Sequence, residues 1–185
     1  MVNAKRGNNF GIEDTYTVEI PIEDLANGAT PPAAVTVAPY RGYAYTIGDD
    51  SYFQAPVPKD WEYSAGGTAI DIVIRWGCNE TYAANSGEVR WQAIYDTVDQ
   101  NNQIVGVGTT ATINSGDVNL PTLARQIEET TLATGIIAAN LARVDTIGVV
   151  LSRVALGAGA NPVQEPEIYA VWLEYTRLIS YNTRN

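Results

Sequence analysis

The sequence contains no histidine, and this absence excludes several kinds of functional site. Serine–histidine and cysteine–histidine nucleophile pairs, histidine metal ligands and imidazole acid–base catalysis all need that side chain. Cysteine occurs once, as Cys78, so the chain cannot form an internal disulfide. A lone thiol is more often a small core residue than a reactive group, and we expect Cys78 to be buried.

Basic residues are also scarce. The chain has 11 lysines and arginines against 21 acidic residues, which gives a formal charge of -10 at pH 7. This sign is wrong for neutralising phosphates, so we expect no nucleic-acid partner. Because no run of about 18 apolar residues occurs, we expect no membrane partner. Residues 1–14 also lack the apolar central run of a secretory signal.

The length and composition predict one globular domain. With 185 residues, of which 45% are hydrophobic, the chain is long enough for one buried core and too short for two ordinary ones. We predict a flexible N-terminal arm over 1–14, one domain over 15–180 and a C-terminal tail over 181–185. The arm contains Lys5, Arg6 and Phe10, which are candidates for docking onto another copy; the alternative is a solvated terminus.

From Thr15 onward the dominant pattern is an alternation of apolar and polar residues with period two, which is typical of half-buried β-strands. The first such strand precedes Pro21, a residue that an edge strand tolerates. Residues 70–77 and 88–95 predict a central antiparallel hairpin whose outer face pairs the charges of Asp71 and Arg75 with those of Glu88 and Arg90.

Later segments extend this pattern. Residues 146–154 are apolar on both faces, as in a central strand, and residues 169–175 predict a long interior strand in which Tyr169 shares a face with Val171. Helix is limited to a short turn near 121–126. About eight strands with turns rich in Gly, Asn and Pro predict an all-β fold: an antiparallel two-sheet β-sandwich with jelly-roll topology, an immunoglobulin-like sandwich being the alternative.

Two segments resemble a known group of proteins. The segment from Tyr52 to Trp61, with the strand at 70–76, resembles the aromatic–x–x–Pro–x–x–Trp pattern that leads into the core strands of jelly-roll proteins in tailed-phage virions. The ending, 143–153 and then 167–175, is similar to the last two strands of the same domains. This resemblance implies a structural virion component, commonly trimeric, and carries over no catalytic or ligand residue.

Tyrosines near turns are the candidate contact residues. The chain has 11 tyrosines and 4 tryptophans, and exposed rings stack on sugar faces or fill protein interfaces. The spacing places Trp76, Trp91 and Tyr95 in the core. Four tyrosines lie nearer turns and are better placed for contact: Tyr40, Tyr43, Tyr63 and Tyr82.

Carboxylates are the other candidates for chemistry. Asp49 with Asp50, or Glu165 with Glu167, has the oxygen ligands for calcium, but neither pair follows a recognisable calcium loop, so we favour solvated acidic turns and predict no metal or cofactor. A glycosidase also needs two carboxyl groups about 5 to 9 Å apart in a cleft. Any acidic sandwich offers such pairs by chance, so we predict that the chain is not an enzyme.

These observations together predict a virion protein of a tailed bacteriophage: a capsid decoration or cement protein, homotrimeric, that stabilises the shell by contacts with itself, the major capsid protein or other virion proteins. The alternative is a carbohydrate-binding or receptor-binding module of a tail fibre. A small carboxylate hydrolase comes third. Because histidine is absent, assembly should change little between about pH 6 and 8.

Overall fold

A computed structural model describes residues 12–37, 39–58, 61, 69–82, 87–98, 111–132, 136 and 146–179. These residues form 12 strands and one 3₁₀ turn at Ile22–Asp24. The strands are β1 (Ile12–Ile20), β2 (Ala26–Asn27), β3 (Ala33–Val37), β4 (Tyr40–Ala44), β5 (Asp50–Pro56), β6 (Asp71–Cys78), β7 (Glu88–Val98), β8 (Ala111–Asn114), β9 (Val118–Asn119), β10 (Glu128–Thr131), β11 (Thr146–Val154) and β12 (Pro166–Ile179).

The strands form two antiparallel sheets of six strands each. Sheet A has the order β10-β6-β12-β4-β3, with β1 pairing the far half of β12. Sheet B has the order β2-β5-β11-β7-β8, with β9 pairing the start of β7. From β4 to β7 and again from β9 to β12, successive strands belong to opposite sheets. This repeated crossing gives a β-sandwich of jelly-roll type and confirms the predicted fold class.

The core lies between the two sheets and follows the predicted alternation. Trp76 of β6 and Trp91 of β7 meet across the core with ring centroids 5.8 Å apart. Tyr45, which follows β4, packs edge-on against Trp91 at 5.6 Å. These rings are fully buried, as is Tyr95, which confirms their predicted core positions.

The predicted hairpin over 70–77 and 88–95 is wrong. Strand β6 belongs to sheet A and β7 to sheet B, so the two strands face each other across the core instead of pairing side by side. Their outward charges therefore find other partners. Arg75 pairs with Glu129 of β10, and Arg90 pairs with Asp117 beside β9.

Other boundaries differ locally. Strand β1 begins at Ile12, three residues before the predicted domain, and among the described strands it pairs only with β12, as an edge strand does. At 121–126 a β-turn replaces the predicted helical turn, because Arg125 has a φ of 63° and cannot continue a helix. The arm over 1–11 and the tail over 181–185 lie outside the described residues. No helix in the described ranges is long and apolar enough to span a membrane.

Candidate functional site

The outer face of β12 forms the floor of a groove on sheet A. Val171 and Leu173 point into the core and are buried, so the intervening Trp172 and Glu174 point away from it on sheet A. Trp172 is half-buried. A large ring on an outer face has no core to fill, and this makes its position informative.

Two neighbouring strands place polar side chains beside this floor. Strand β1 sets Glu19 opposite Trp172 and Thr17 opposite Glu174. On the other side of β12, strand β6 sets Asp71 opposite Glu174. Residues directly opposite on paired strands lie on the same face, about 5 Å apart, so these side chains converge on one surface.

A fixed cation borders the groove. The Arg75 side chain donates from Nε and Nη2 to Glu129 Oε1, at 3.1 and 2.5 Å. Its Cζ lies 5.1 Å from the centroid of the Trp172 ring, within the range of a cation–π contact. The two contacts hold the guanidinium and the indole in a defined arrangement, although Arg75 and Glu129 are themselves exposed.

The space between these side chains measures about 340 Å³, and we call it the β12 groove. Its lining combines one aromatic ring with hydroxyl, carboxylate and guanidinium groups. It is formed by Thr17, Glu19, Arg75, Glu129, Ala170, Trp172 and Glu174.

The groove is electrically negative. Burial raises the pKa of the Asp71 carboxyl above its ordinary value, and the charge of the neighbouring Glu174 raises it further. Three glutamates line the groove against one arginine, which is already paired. Such a site favours groups that donate hydrogen bonds and repels anionic ligands.

Two further aromatic rings, Tyr40 and Tyr169, meet on the same face of sheet A, where β12 has a β-bulge. The pairing of β12 with β6 shifts register between Ile168 and Ala170, which places Tyr169 outside the alternation. The Tyr169 ring packs over Gly42 and Gly77, at which a β-carbon would come within 3.0 and 3.3 Å of it. Tyr40 meets this ring edge-on at 6.4 Å.

The Tyr169 hydroxyl is also anchored, since it donates a hydrogen bond to Glu167 Oε2. Burial raises the pKa of the Tyr169 hydroxyl, and the hydrogen bond to Glu167 and the charge of that carboxylate raise it further. The hydroxyl therefore keeps its proton at neutral pH. The predicted grouping of Tyr169 with Val171 is wrong for this reason: the bulge moves Ile168 into the core in its place.

The predicted contact tyrosines lie in different places. Tyr40 is 57% exposed and belongs to the pair just described. Tyr43 is only partly exposed and packs against the core. Tyr82 is 38% exposed and lies in the segment after β6, where its backbone N–H donates to Pro121 O.

Four further candidate interface residues lie outside the described residues. They are Lys5, Arg6, Phe10 and Tyr63. Among the described residues, the lining of the groove includes none of the predicted contact tyrosines.

The acidic turns have structural hydrogen bonds. Asp49 Oδ2 accepts from the Thr46 N–H at 2.7 Å, and Asp50 Oδ1 accepts from the Thr30 N–H at 2.8 Å. Glu165 and Glu167 line a depression of about 280 Å³ beside Asn79. Across the described part of the chain, no three Cys, Asp or Glu side chains are grouped to hold a metal ion.

Cys78 is buried, as predicted, at the end of β6. Burial raises the pKa of its thiol from 9.0 to about 11. A thiol that keeps its proton at neutral pH is a weak nucleophile, so Cys78 behaves as a core residue.

Trp172 is a candidate functional residue that the sequence pattern did not single out, because the predicted contact residues were tyrosines near turns. The alternation already placed Trp172 on the face opposite Val171. Because this strand was predicted to lie in the interior of the sheet, no functional ring was expected on that face. The signal was the size of the side chain: a tryptophan between Val171 and Leu173 on the non-core face.

No protein-family model matches this chain, and no curated protein does. Among solved structures, the chain is similar to a xylan-binding module, CBM15, with a TM-score of 0.48 and 12% identity over 88% of this chain and 97% of that chain. It is similar to the carbohydrate-binding module CBM36 in complex with calcium and xylotriose, with a TM-score of 0.44 and 15% identity over 85% and 98% of the two chains.

A viral structure also resembles the chain. The structure of infectious bursal disease virus, Gx strain, gives a TM-score of 0.39 and 12% identity over 93% of this chain and 33% of that chain. At such low identities, none of these likenesses bears on which residues of this chain bind a ligand. The resemblance to tailed-phage proteins stays a prediction.

Proposed function

We propose that this chain is a non-catalytic β-sandwich that binds a neutral carbohydrate in the β12 groove. The observation that carries the proposal is the placement of Trp172, a half-buried ring on an outer sheet face, among polar side chains that converge on it from β1, β6 and β10. An apolar surface with a few placed polar groups is the usual composition of a small-ligand site.

The chemistry of the groove matches a sugar. The indole can offer the face that Arg75 does not cover as a flat apolar surface for the C–H face of a pyranose ring. Glu19 and Glu174 beside the ring accept hydrogen bonds from hydroxyl groups, and Thr17 both donates and accepts. The negative charge disfavours uronic acids and sulfated sugars, which leaves neutral saccharides as the expected ligands.

The groove is organised before a ligand arrives. Arg75 is held by Glu129 and packs on Trp172, so these side chains lose little conformational freedom on binding. Tyr40 and Tyr169 add ring surface on the same face of sheet A, which favours an extended oligosaccharide over a single sugar.

The test is isothermal titration with neutral xylo-, cello- and chito-oligosaccharides and with an oligogalacturonate as the anionic comparison. We expect at least one neutral series to bind and Trp172→Ala to weaken that binding by about tenfold or more, equivalent to about 1.4 kcal/mol. Tyr82→Ala is the matched control, because it removes an exposed ring away from the groove lining. Circular dichroism verifies that both variants are folded.

Three results would overturn the proposal. The first is absence of binding to every neutral series, and the second is full affinity in Trp172→Ala. The third is preferential binding of a lysine-rich peptide, which would make the negative groove a protein site. Release of shorter sugars would contradict the non-catalytic part, since Asp71 and Glu174 form a carboxyl pair on neighbouring strands.

A second candidate is the virion decoration protein that the resemblance implies. The segments that carry this resemblance form β5, the buried Trp61, β6, β11 and β12, which together contribute to both sheets. We propose for this candidate a homotrimer bound to the major capsid protein, with neither nucleic acid nor membrane as partner. Mass spectrometry of gradient-purified particles of a phage that encodes the chain tests it; absence from the particles contradicts it.

A further inference from the structure

The outer face of sheet B carries a row of uncharged side chains across four strands. Tyr52 of β5 lies opposite Val150 of β11. Val150 in turn lies opposite Ile94 of β7, and Ile94 lies opposite Thr112 of β8. Tyr52 is 41% exposed, Thr112 is exposed, and Val150 and Ile94 are half-buried, so the row presents apolar surface outward.

The adjacent row carries one charge. Ser152, Gln92 and Asn114 follow one another across β11, β7 and β8, and Asp50 of β5 lies opposite Ser152 at the end of the row. The flanking rows carry Asp96 on one side and Arg90 on the other. The Asp50 carboxylate accepts the Thr30 N–H and closes a turn.

The two outer faces of the sandwich therefore differ in charge. Sheet A presents three glutamates, Asp71 and Arg75 around its groove, whereas the two rows of sheet B carry only Asp50, at the β5 end. Copies of a chain with a net charge of -10 repel one another. That repulsion is least where the meeting surfaces are uncharged, which singles out this face of sheet B for contact between copies.

The composition and size of the face fit such a contact. Interface centres are depleted in charged residues and enriched in tyrosine, and the β-branched Val150 and Ile94 lose little side-chain freedom when covered. Strands β5, β7, β8 and β11 have 7, 11, 4 and 9 residues, so with a rise of about 3.4 Å per residue and about 4.8 Å between strands their outer face covers about 500 Å². Two such faces bury about 1,000 Å² together, the least that a specific interface needs.

We infer that a second copy of this chain docks face to face on sheet B, with Tyr52, Val150 and Ile94 at the centre of a two-fold interface. The same patch then meets itself, as in the commonest homodimers. The inference does not depend on the proposed carbohydrate site, because the β12 groove lies on the opposite sheet. It leaves two grooves open per dimer, facing away from each other.

Sedimentation equilibrium of the full chain between about 1 and 300 μM tests the inference. We expect the mass to rise with concentration from that of one copy, 20.0 kDa, toward that of two. Tyr52→Glu and Thr112→Glu each add a negative charge to the interface surface of both copies, so each should weaken the dimer at least tenfold. Thr131→Glu is the matched control: it is an exposed threonine on the edge strand of sheet A and should leave the dimer unchanged.

The measured mass distinguishes a monomer, a dimer and a trimer. A mass of one copy throughout the range overturns the inference, as does a dimer that Tyr52→Glu leaves intact. A mass of three copies overturns the two-fold arrangement and supports the trimer implied by the phage resemblance. Thermal unfolding of Thr112→Glu provides the folding control, because the Thr112 side chain is exposed in the monomer. An unchanged Tm of the monomer shows that a loss of dimer comes from the interface and not from the fold.

Discussion

At the scale of single residues, the core is specified by polar atoms as well as by apolar volume. Trp76 is fully buried, and its indole Nε1 donates to the Thr130 hydroxyl at 2.9 Å. This bond joins the edge strand β10 to the centre of the core. A buried donor without a partner costs more than the bond itself contributes, so Thr130 has a specific role in an otherwise exposed strand.

Replacing Thr130 with valine should therefore destabilise the protein. The change Thr130→Val keeps the shape of the side chain but removes the acceptor, and we expect the free energy of unfolding to fall by about 1–3 kcal/mol. Thr131→Val is the control, since Thr131 is exposed on the opposite face and should change stability by less than about 0.5 kcal/mol. Urea unfolding measures both; equal stabilities for the two variants would contradict the assigned role of the Trp76 bond.

At the scale of elements, the bulge in β12 determines where the aromatic surface of sheet A lies. The extra residue, Tyr169, leaves the alternation and spreads over Gly42 and Gly77. The glycines leave room for the ring, because a β-carbon at Gly42 or Gly77 would lie only 3.0 or 3.3 Å from it. Local irregularity in one strand thus depends on residues of two neighbouring strands.

Gly42→Ala tests this dependence. Its β-carbon would lie 2.5 Å from Ile168 O and 3.0 Å from Tyr169 Cδ1, so backbone and ring must both move. We expect a loss of about 1–3 kcal/mol, or roughly 2–12 °C in Tm. Gly148→Ala is the matched strand control, because the nearest atom to its β-carbon lies at 4.0 Å; its Tm should stay level or rise slightly. A Gly42→Ala variant as stable as wild type would show that β4 shifts freely.

Much at this scale could be predicted from the sequence, because side-chain alternation is a local property. It predicted the inward faces of β6 and β7, that of β12 from Val171 onward, and the edge position of β1. It did not predict which strands pair, since β6 and β7 were expected to form a hairpin and lie in opposite sheets. The groove was missed for the same reason: Glu19, Trp172 and Glu129 are distant in sequence and meet only through pairing.

At the scale of the whole molecule, the absence of histidine and the burial of alkaline-titrating groups together predict the pH dependence of stability. No side chain with an ordinary pKa titrates between about pH 6 and 8, so stability should change little there. Burial raises the pKa of Cys78 from 9.0 to about 11 and that of Tyr45 from 10.0 to about 12. In the unfolded chain both groups lose their protons at lower pH than in the folded chain.

The folded state therefore holds more protons than the unfolded state above about pH 9, and the free energy of unfolding must fall as the pH rises. Cys78 contributes to the first part of this fall, from about pH 9 to about 11. In Cys78→Ala the fall should begin near pH 10, with the ionisation of tyrosine in the unfolded chain. Guanidinium unfolding at intervals from pH 7 to 11 measures how steeply the free energy of unfolding falls with pH. This slope does not depend on the constant loss of stability from the small cavity that Cys78→Ala leaves. Equal slopes for wild type and variant between about pH 9 and 10 would show that the thiol ionises as readily in the folded protein as in the unfolded chain, and that its position at the end of β6 gives it no protection from water.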